Sequence, residues 1–389
     1  MDTTQTPKGK QALYRACCLH FFTLGWLVLT TSAVLRTLIA ENQWSNSLGG
    51  LLISLQALGS LLASLLVGFA LRAWGRRRTL CVGVVCGIVG FAGMTLVRTP
   101  ALMYPLILLT GLYWGMNNAL MNLLVSEAYE GSVARINTLH ACFAAGAVAA
   151  PLAVSALLAA GVSWRVPVCA VAALMAVGLW VSLRVPMPEP GSQRAHTPGG
   201  AAVFWRKGAF YLAASAFFTY VGVETAVSAW IAPFLGAENA FFATVRPEAV
   251  ISLMWLLIIA GRLTVASLAG RLHRARLLVM EAAGFLLGLV GLILLVRLTI
   301  PALVCVAFMG LSMSAIYGTL IANNAELMAS SPLVPGLIFA GGGLGATLVP
   351  LAAGVFADLG GIRLGMGMLA ALLVVLLAQA LAYARRRAA

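Results

Sequence analysis

The stretch GFALRAWGRRRTL, Gly68–Leu80, interrupts two of the most apolar runs in the chain. Small residues lead into it, Gly75 stands near its centre, and Arg72, Arg76, Arg77 and Arg78 make it basic. The flanking runs, 46–71 and 79–97, are each close to the roughly 20 residues a helix needs to cross the hydrocarbon of a bilayer. A tight basic turn between two such runs reads as a membrane hairpin whose turn faces the inner side, where basic loops collect.

The same alternation fills the chain. Of 389 residues 61% are hydrophobic and only 9% charged, and the mean hydropathy is +0.98, whereas a soluble protein carries roughly 25% charged residues. Twelve apolar segments follow: 13–36, 46–71, 79–97, 101–125, 136–160, 166–183, 207–235, 248–270, 277–296, 300–323, 333–357 and 363–384. With the N-terminus inside, eighteen of the 25 Lys and Arg fall on the inner side and six on the outer, with Arg262 alone inside a segment. That bias is the positive-inside rule. The net charge of +14 is therefore a topology signal and excludes a nucleic-acid footprint. The seven cysteines lie in or at the ends of segments, without a C-x-x-C, so no disulfide framework or metal site follows. The first apolar run is long for a secretory signal and reads as a retained helix.

Arg184–Gly200, RVPMPEPGSQRAHTPGG, is rich in Pro, Gly and polar residues and reads as a linker. The second half echoes the opening stretch with ASLAGRLHRARLL, Ala266–Leu278. The expectation is an all-α membrane protein of twelve transmembrane helices. They form two pseudo-symmetric six-helix bundles, 1–184 and 205–389, joined by a cytoplasmic linker, 185–204.

Gly68, Leu71, Trp74, Gly75 and Arg76–Arg78 resemble the signature loop of the major facilitator superfamily, G-x-L-A-D-R-x-G-R-R. The chain departs from it at Arg72, where the family has the Asp that helps lock its inner gate, and the second copy has Gly270 there. NTLHACFAAGAVAAPL (Asn137–Leu152) resembles helix 5 of the fucose permease-like sugar–proton symporters. YVGVETAVSAWIAPF (Tyr220–Phe234) and AGGGLGATLVPLAAGVFADLGGIR (Ala340–Arg363) resemble helices 7 and 11 of those relatives. The resemblance implies a cavity lined by helices 1, 4, 7 and 10. It also places Leu29 and Asn118 where the symporters carry acids.

Glu224 is the residue that hydrophobicity alone would not keep. A charge at the centre of a membrane helix costs about 2.5–3.5 kcal/mol on insertion scales, so an acid there is a functional candidate by default. Tyr220, Glu224 and Ser228 recur at spacing four and give one polar stripe. The alternative is a structural acid hydrogen-bonded to a neighbouring helix. Trp114, Asn118 and Asn122 repeat that spacing on helix 4. An indole face with two amides suits a polyhydroxylated ring, although buried asparagines also bind helices to one another. Tyr317 and Asn324 on helix 10 and His140 on helix 5 complete the substrate-binding candidates, with Gln56 a further ligand contact. Packing competes at His140, and a helix-end or gate role at Asn324. Trp230 reads as packing. Glu127 and Glu130 lie near Arg135, with surface pairing or gating as the alternatives. Arg262 is read as a partner for Glu281 or for an acid at an inner gate. Arg72, Arg76, Glu127, Arg135 and Arg262 are the gating candidates. Gly341, Gly342, Gly343 and Gly345 read as sites of close helix packing.

No metal-ligand pattern or nucleophile–base pair suggests an enzyme, and a sensor would need a soluble domain larger than the stretch of about twenty residues that any loop here provides. The expected function is a secondary transporter alternating access around a midplane site, with efflux of drugs or metabolites the other transport reading. Its partners are a small polar solute, with a monosaccharide suggested by the resemblance, a proton carried by Glu224, and the lipid bilayer. No cofactor and no nucleic acid enter. The chain is read as a monomer in a bacterial inner membrane, with both termini cytoplasmic.

Overall fold

A computed structural model describes residues 7–130, 132–188, 208–267, 273–331 and 333–386, and its regular structure there is helical. The helices are α1 (Pro7–Asn42), α2 (Asn46–Leu96), α3 (Pro100–Ala128), α4 (Val133–Ala159), α5 (Arg165–Arg184), α6 (Gly208–Glu238), α7 (Ala240–Thr244), α8 (Ala249–Ser267), α9 (Arg274–Leu295), α10 (Thr299–Met313), α11 (Ile316–Asn323), α12 (Ala325–Ala329), α13 (Leu333–Gly360) and α14 (Ile362–Arg386). Helices satisfy every backbone group internally, which hydrocarbon demands. Among the described residues nine helices are long and apolar enough to cross a membrane. One of them, α2, holds two of the twelve apolar segments. Its 51 residues would rise about 76 Å if straight, far beyond a hydrocarbon core of about 30 Å. The turn comes at Gly75, where φ is 75° and ψ 171°, a conformation glycine adopts without a Cβ penalty. The opening stretch is thus a hairpin turn, as its composition suggests. The remaining segments fall on single helices, except that 300–323 is shared by α10 and α11. Most of the linker, and the residues 268–272 of the second basic loop, lie outside the described residues.

The chain forms two compact units, Met1–Thr37 with Leu55–Arg194, and Leu38–Ser54 with Ala195–Ala389. This differs from a clean cut at the linker, because residues 38–54 group with the second unit. The reason is local. Asp358 of α13 accepts hydrogen bonds from the Asn46 and Ser47 amides, and Ser54 Oγ accepts one from the Leu351 amide. A Cβ on Gly354 would lie 2.4 Å from the Asn46 carbonyl oxygen, so this glycine is what lets the two backbones meet.

In the first unit α1 and α4 run together at close range, with Gly146 set against the Phe22 carbonyl and Gly25 against that of Phe143. Gln56, a candidate ligand contact by sequence, is buried and donates to the Thr31 and Thr110 hydroxyls at 3.0 and 2.9 Å. It joins three helices. In the second unit α13 packs most extensively on α6. Gly345 backs onto the Phe218 carbonyl and Gly341 onto that of Ala214, which is the close packing expected of these glycines. Trp230 is enclosed and donates its indole N–H to the Pro350 carbonyl at 3.1 Å, a packing role as read from sequence.

Candidate functional site

The polar residues of the second unit gather at a broken helix. α10 ends at Met313 and α11 starts at Ile316, so the Met313 and Ser314 carbonyls lack the amide donors that a continuous helix would give them. Side chains from two other helices replace those donors. The Tyr220 hydroxyl of α6 lies 3.0 Å from the Met313 oxygen, and Arg262 of α8 donates Nε–H to the Ser314 oxygen at 3.0 Å. A guanidinium at the C-terminal end of α10 also meets the negative end of its dipole. From sequence, Arg262 is a partner for Glu281 or for an acid at an inner gate. Its hydrogen bond is to this carbonyl, and among the described residues no ion pair joins it to Glu281.

Tyr220 has a second neighbour, Glu224 Oε1, at 2.9 Å. A phenol carries one proton and a carbonyl can only accept. With a neutral Glu224, the carboxyl O–H donates to the phenol oxygen and the phenol donates to Met313, so every group is satisfied. With an ionised Glu224, the phenol proton is drawn to the carboxylate and Met313 loses its donor. Tyr220 itself is fully enclosed, whereas Glu224 is half-buried. Tyr220 therefore contacts the acid and the helix break, and Glu224 carries the open side. Ser228, one turn on, is buried with its hydroxyl unpartnered among the described residues.

Tyr317 stands beside this group on α11, 37% exposed and within electrostatic reach of Glu224 and Arg262. Its ring is 5.3 Å from Phe217, edge to face, and nearly parallel to Phe339 at 6.2 Å. Asn324 is placed apart. It is buried, and its amide donates to the Leu320 carbonyl and the Tyr383 hydroxyl, both at 2.8 Å, which suits the helix-end alternative.

The first unit holds the rest of the candidates. Trp114, Asn118 and Asn122 are all half-buried on α3, and the Asn122 amide donates to the Asn118 backbone and side-chain oxygens at 2.8 and 3.3 Å. His140 is exposed on α4, edge-on to Phe21 at 5.2 Å. Sequence reasoning passed over the neighbouring buried cluster. Asn117 donates to the His20 carbonyl and the Tyr113 hydroxyl, and His20 Nε2 lies 2.9 Å from Ser182 Oγ. Only the spacing of Tyr113 and Asn117, four residues apart on α3, signalled it.

The basic hairpin turn is anchored rather than free. Arg76 is buried and pairs with Glu127 at 2.8 Å while donating to the Pro188 carbonyl at 2.9 Å. Arg77 donates to the Leu183 and Val185 carbonyls at the C-terminus of α5, where a helix leaves acceptors open. Arg72 is exposed. Glu127 was expected near Arg135. Its partner is Arg76, and Arg135 stacks on the Tyr14 and Tyr129 rings at 5.0 and 4.9 Å, a favourable cation–π geometry.

Comparison with known proteins gives this arrangement its setting. The sequence profile of the Major Facilitator Superfamily matches residues 16–333. Among curated protein sequences none matches the chain. Its fold is similar to that of a variant of the nucleoside transporter NupG, with a TM-score of 0.79 at 15% identity over 96% of this chain and 99% of that one. It is also similar to a D-xylose-proton symporter, with a TM-score of 0.75 at 14% identity over 94% and 96% of the two chains. A third similar structure is a bacterial homologue of the human lysosomal transporter Spinster in an inward-facing, occupied conformation, with a TM-score of 0.72 at 15% identity over 98% of each chain. At these identities the likeness speaks for the fold. The profile match over most of the chain speaks for the family: this multi-pass membrane protein belongs to the major facilitator superfamily, and is a transporter, not an enzyme.

Proposed function

We propose that the chain is a proton-coupled secondary transporter for a small polar solute, a monosaccharide or a related ring-bearing molecule, exposing one site alternately to the two sides of a bacterial inner membrane. In this reading it acts as a monomer with both termini cytoplasmic. One observation carries the coupling: the single Tyr220 proton has two acceptors, the titratable Glu224 and the Met313 carbonyl at a helix break. A proton arriving at Glu224 therefore changes how a backbone discontinuity is satisfied, and transporters use such discontinuities to bind ions. The half-open aromatic pair Tyr317 and Phe339 supports a ring-bearing solute, since aromatic faces pack on apolar C–H surfaces. The solutes named for the similar structures, a nucleoside and D-xylose, are of that kind.

A thermal-shift screen of purified protein against sugars, nucleosides, amino acids and organic acids identifies the solute. Proteoliposomes with an imposed pH gradient then test coupling. Glu224→Gln keeps the shape and hydrogen-bonding capacity but cannot titrate. It should exchange solute between equal pools yet fail to accumulate it uphill. Accumulation equal to the parent's would make Glu224 structural and end the proton-coupling reading.

A further inference from the structure

The second unit holds another acid that this scheme leaves unused. Glu281 lies on α9, seven residues into the helix, and is only 6% exposed. Both of its carboxyl oxygens are enclosed and have no hydrogen-bond partner among the described residues. The Thr319 hydroxyl of α11 faces it but lies outside bonding geometry. An ionised carboxylate in such a place, without a cation or donors, is the arrangement that buried charges avoid.

Among the described residues its surroundings supply no counter-charge. α9 packs on α10, α11 and α14. α10 carries Cys305 as its one titratable side chain, and α11 carries Tyr317. On α14, Tyr383 is engaged with Asn324, Arg363 pairs with Glu238, and Arg385 and Arg386 sit at the helix end. Arg274 and Arg276 occupy the first turn of α9 itself. Farther off, Tyr220 is within electrostatic reach of Glu224, Arg262 and Glu281 together. Arg262 acts on Glu224 and is already engaged at the helix break, so it is not a counter-ion for Glu281. The break is close to Glu281 as well: a Cβ on Gly284, less than one turn along α9, would lie 2.4 Å from Ser312 Oγ, just before α10 ends.

We propose that Glu281 is a second proton-binding carboxyl of the transport cycle, neutral in this conformation, whose proton is released when the α10–α11 break beside it rearranges. The proposal rests on the proton-coupled reading above, but its first test takes Glu224 out of the readout. The infrared carbonyl-stretch band of a protonated carboxyl is measured on the purified full chain at neutral pH, with a cooperative melting transition confirming that each variant folds. Glu281→Met, an apolar replacement of similar length, is included because a neutral carboxyl in an apolar setting should tolerate it. The expected result is a band in Glu224→Gln that is lost when Glu281→Gln or Glu281→Met is added to that variant. In proteoliposomes, Glu281→Gln should also move fewer protons per solute than the parent. A band in Glu224→Gln that the added Glu281→Gln leaves unchanged, or an unchanged proton count in Glu281→Gln alone, overturns the proposal. Failure of the Glu224 reading looks different, as uphill accumulation by Glu224→Gln with the Glu281 band intact.

Discussion

Asp358→Ala tests the contact that assigns the start of α2 to the second unit. A helix opens with four amides that have no partner inside it, and here each is accounted for. Asp358 Oδ1 accepts from the Asn46 amide at 2.8 Å and Oδ2 from the Ser47 amide at 2.8 Å, with the Asn46 side-chain amide on Oδ1 at 3.0 Å. Ser45 Oγ accepts from the Leu48 amide at 3.3 Å, and the Ser45 carbonyl from that of Gly49 at 3.2 Å. Losing a capping side chain costs about 0.5–2 kcal/mol, and losing a negative charge at a helix N-terminus about 0.3–1 kcal/mol. Asp358 is exposed, so solvent screening keeps the sum near the lower end, about 1–2 kcal/mol, a factor of about 5–30 in an opening equilibrium. Hydrogen–deuterium exchange of peptides covering residues 44–50 should accelerate by that factor in Asp358→Ala. The acceleration should be smaller in Asp358→Asn, which keeps one acceptor oxygen. Peptides from α1, α3 and α4 should not change. If exchange at 44–50 stays at the parent rate, Asp358 does not hold the start of α2 and the reasoning is refuted.

Other expectations follow from the same geometry. A double-mutant cycle of Arg76→Ala and Glu127→Gln, read by thermal melting, should show a coupling of about 1–2 kcal/mol, in the range for contacting residues and held down by solvent because Glu127 is about a third exposed. A coupling near zero would make the pair incidental. Gly345→Ala should destabilise by about 1–3 kcal/mol through overpacking, since its Cβ would sit 2.0 Å from the Phe218 carbonyl oxygen. Gly367→Ala, with nothing within 4 Å, should melt no lower than the parent, and an equal loss in both would reject the packing argument. Reporter fusions after Gly200 and at Ala389 should both report the cytoplasm, and an external signal at either would sink the topology.

What the sequence made legible was what the bilayer dictates. Apolar runs of crossing length and an arginine-filled turn containing Gly75 admit few alternatives, and the helices lie where those runs lie. What stayed hidden was decided by partners distant in sequence. Nothing in residues 38–54 announces that they group with the second unit, because Asp358 and Gly354, some three hundred positions on, make the contact. The sequence SMSAIY, Ser312–Tyr317, contains neither Pro nor Gly, the usual signals of a helix break. The break persists because Tyr220 and Arg262 serve its carbonyls. Glu127 illustrates the same limit. Arg135 is its nearest basic neighbour in sequence, yet Arg76 is the arginine that the Gly75 turn brings to it. Sequence spacing located Tyr220 and Glu224 on one stripe, but it could not show that Tyr220 faces inward to a backbone oxygen.

That inward contact is what gives Glu224 a means of acting at a distance. On the proposed reading, a neutral Glu224 leaves the Tyr220 proton on Met313, and the break between α10 and α11 is fully satisfied. Ionising the acid redirects that proton, because a hydrogen bond to a carboxylate is roughly twice as strong as one to a neutral acceptor. The Met313 oxygen is then left without its donor in a site closed to water, a cost of about 1–3 kcal/mol. A penalty of that size shifts a two-state equilibrium by about 5–150-fold, enough to favour a different arrangement of the two helical segments. The shift requires no contact between the solute and Tyr220, which fits the complete enclosure of that ring. It does require the phenol proton: Tyr220→Phe keeps the ring and its packing, but should sever the link between pH and uphill transport even with Glu224 intact.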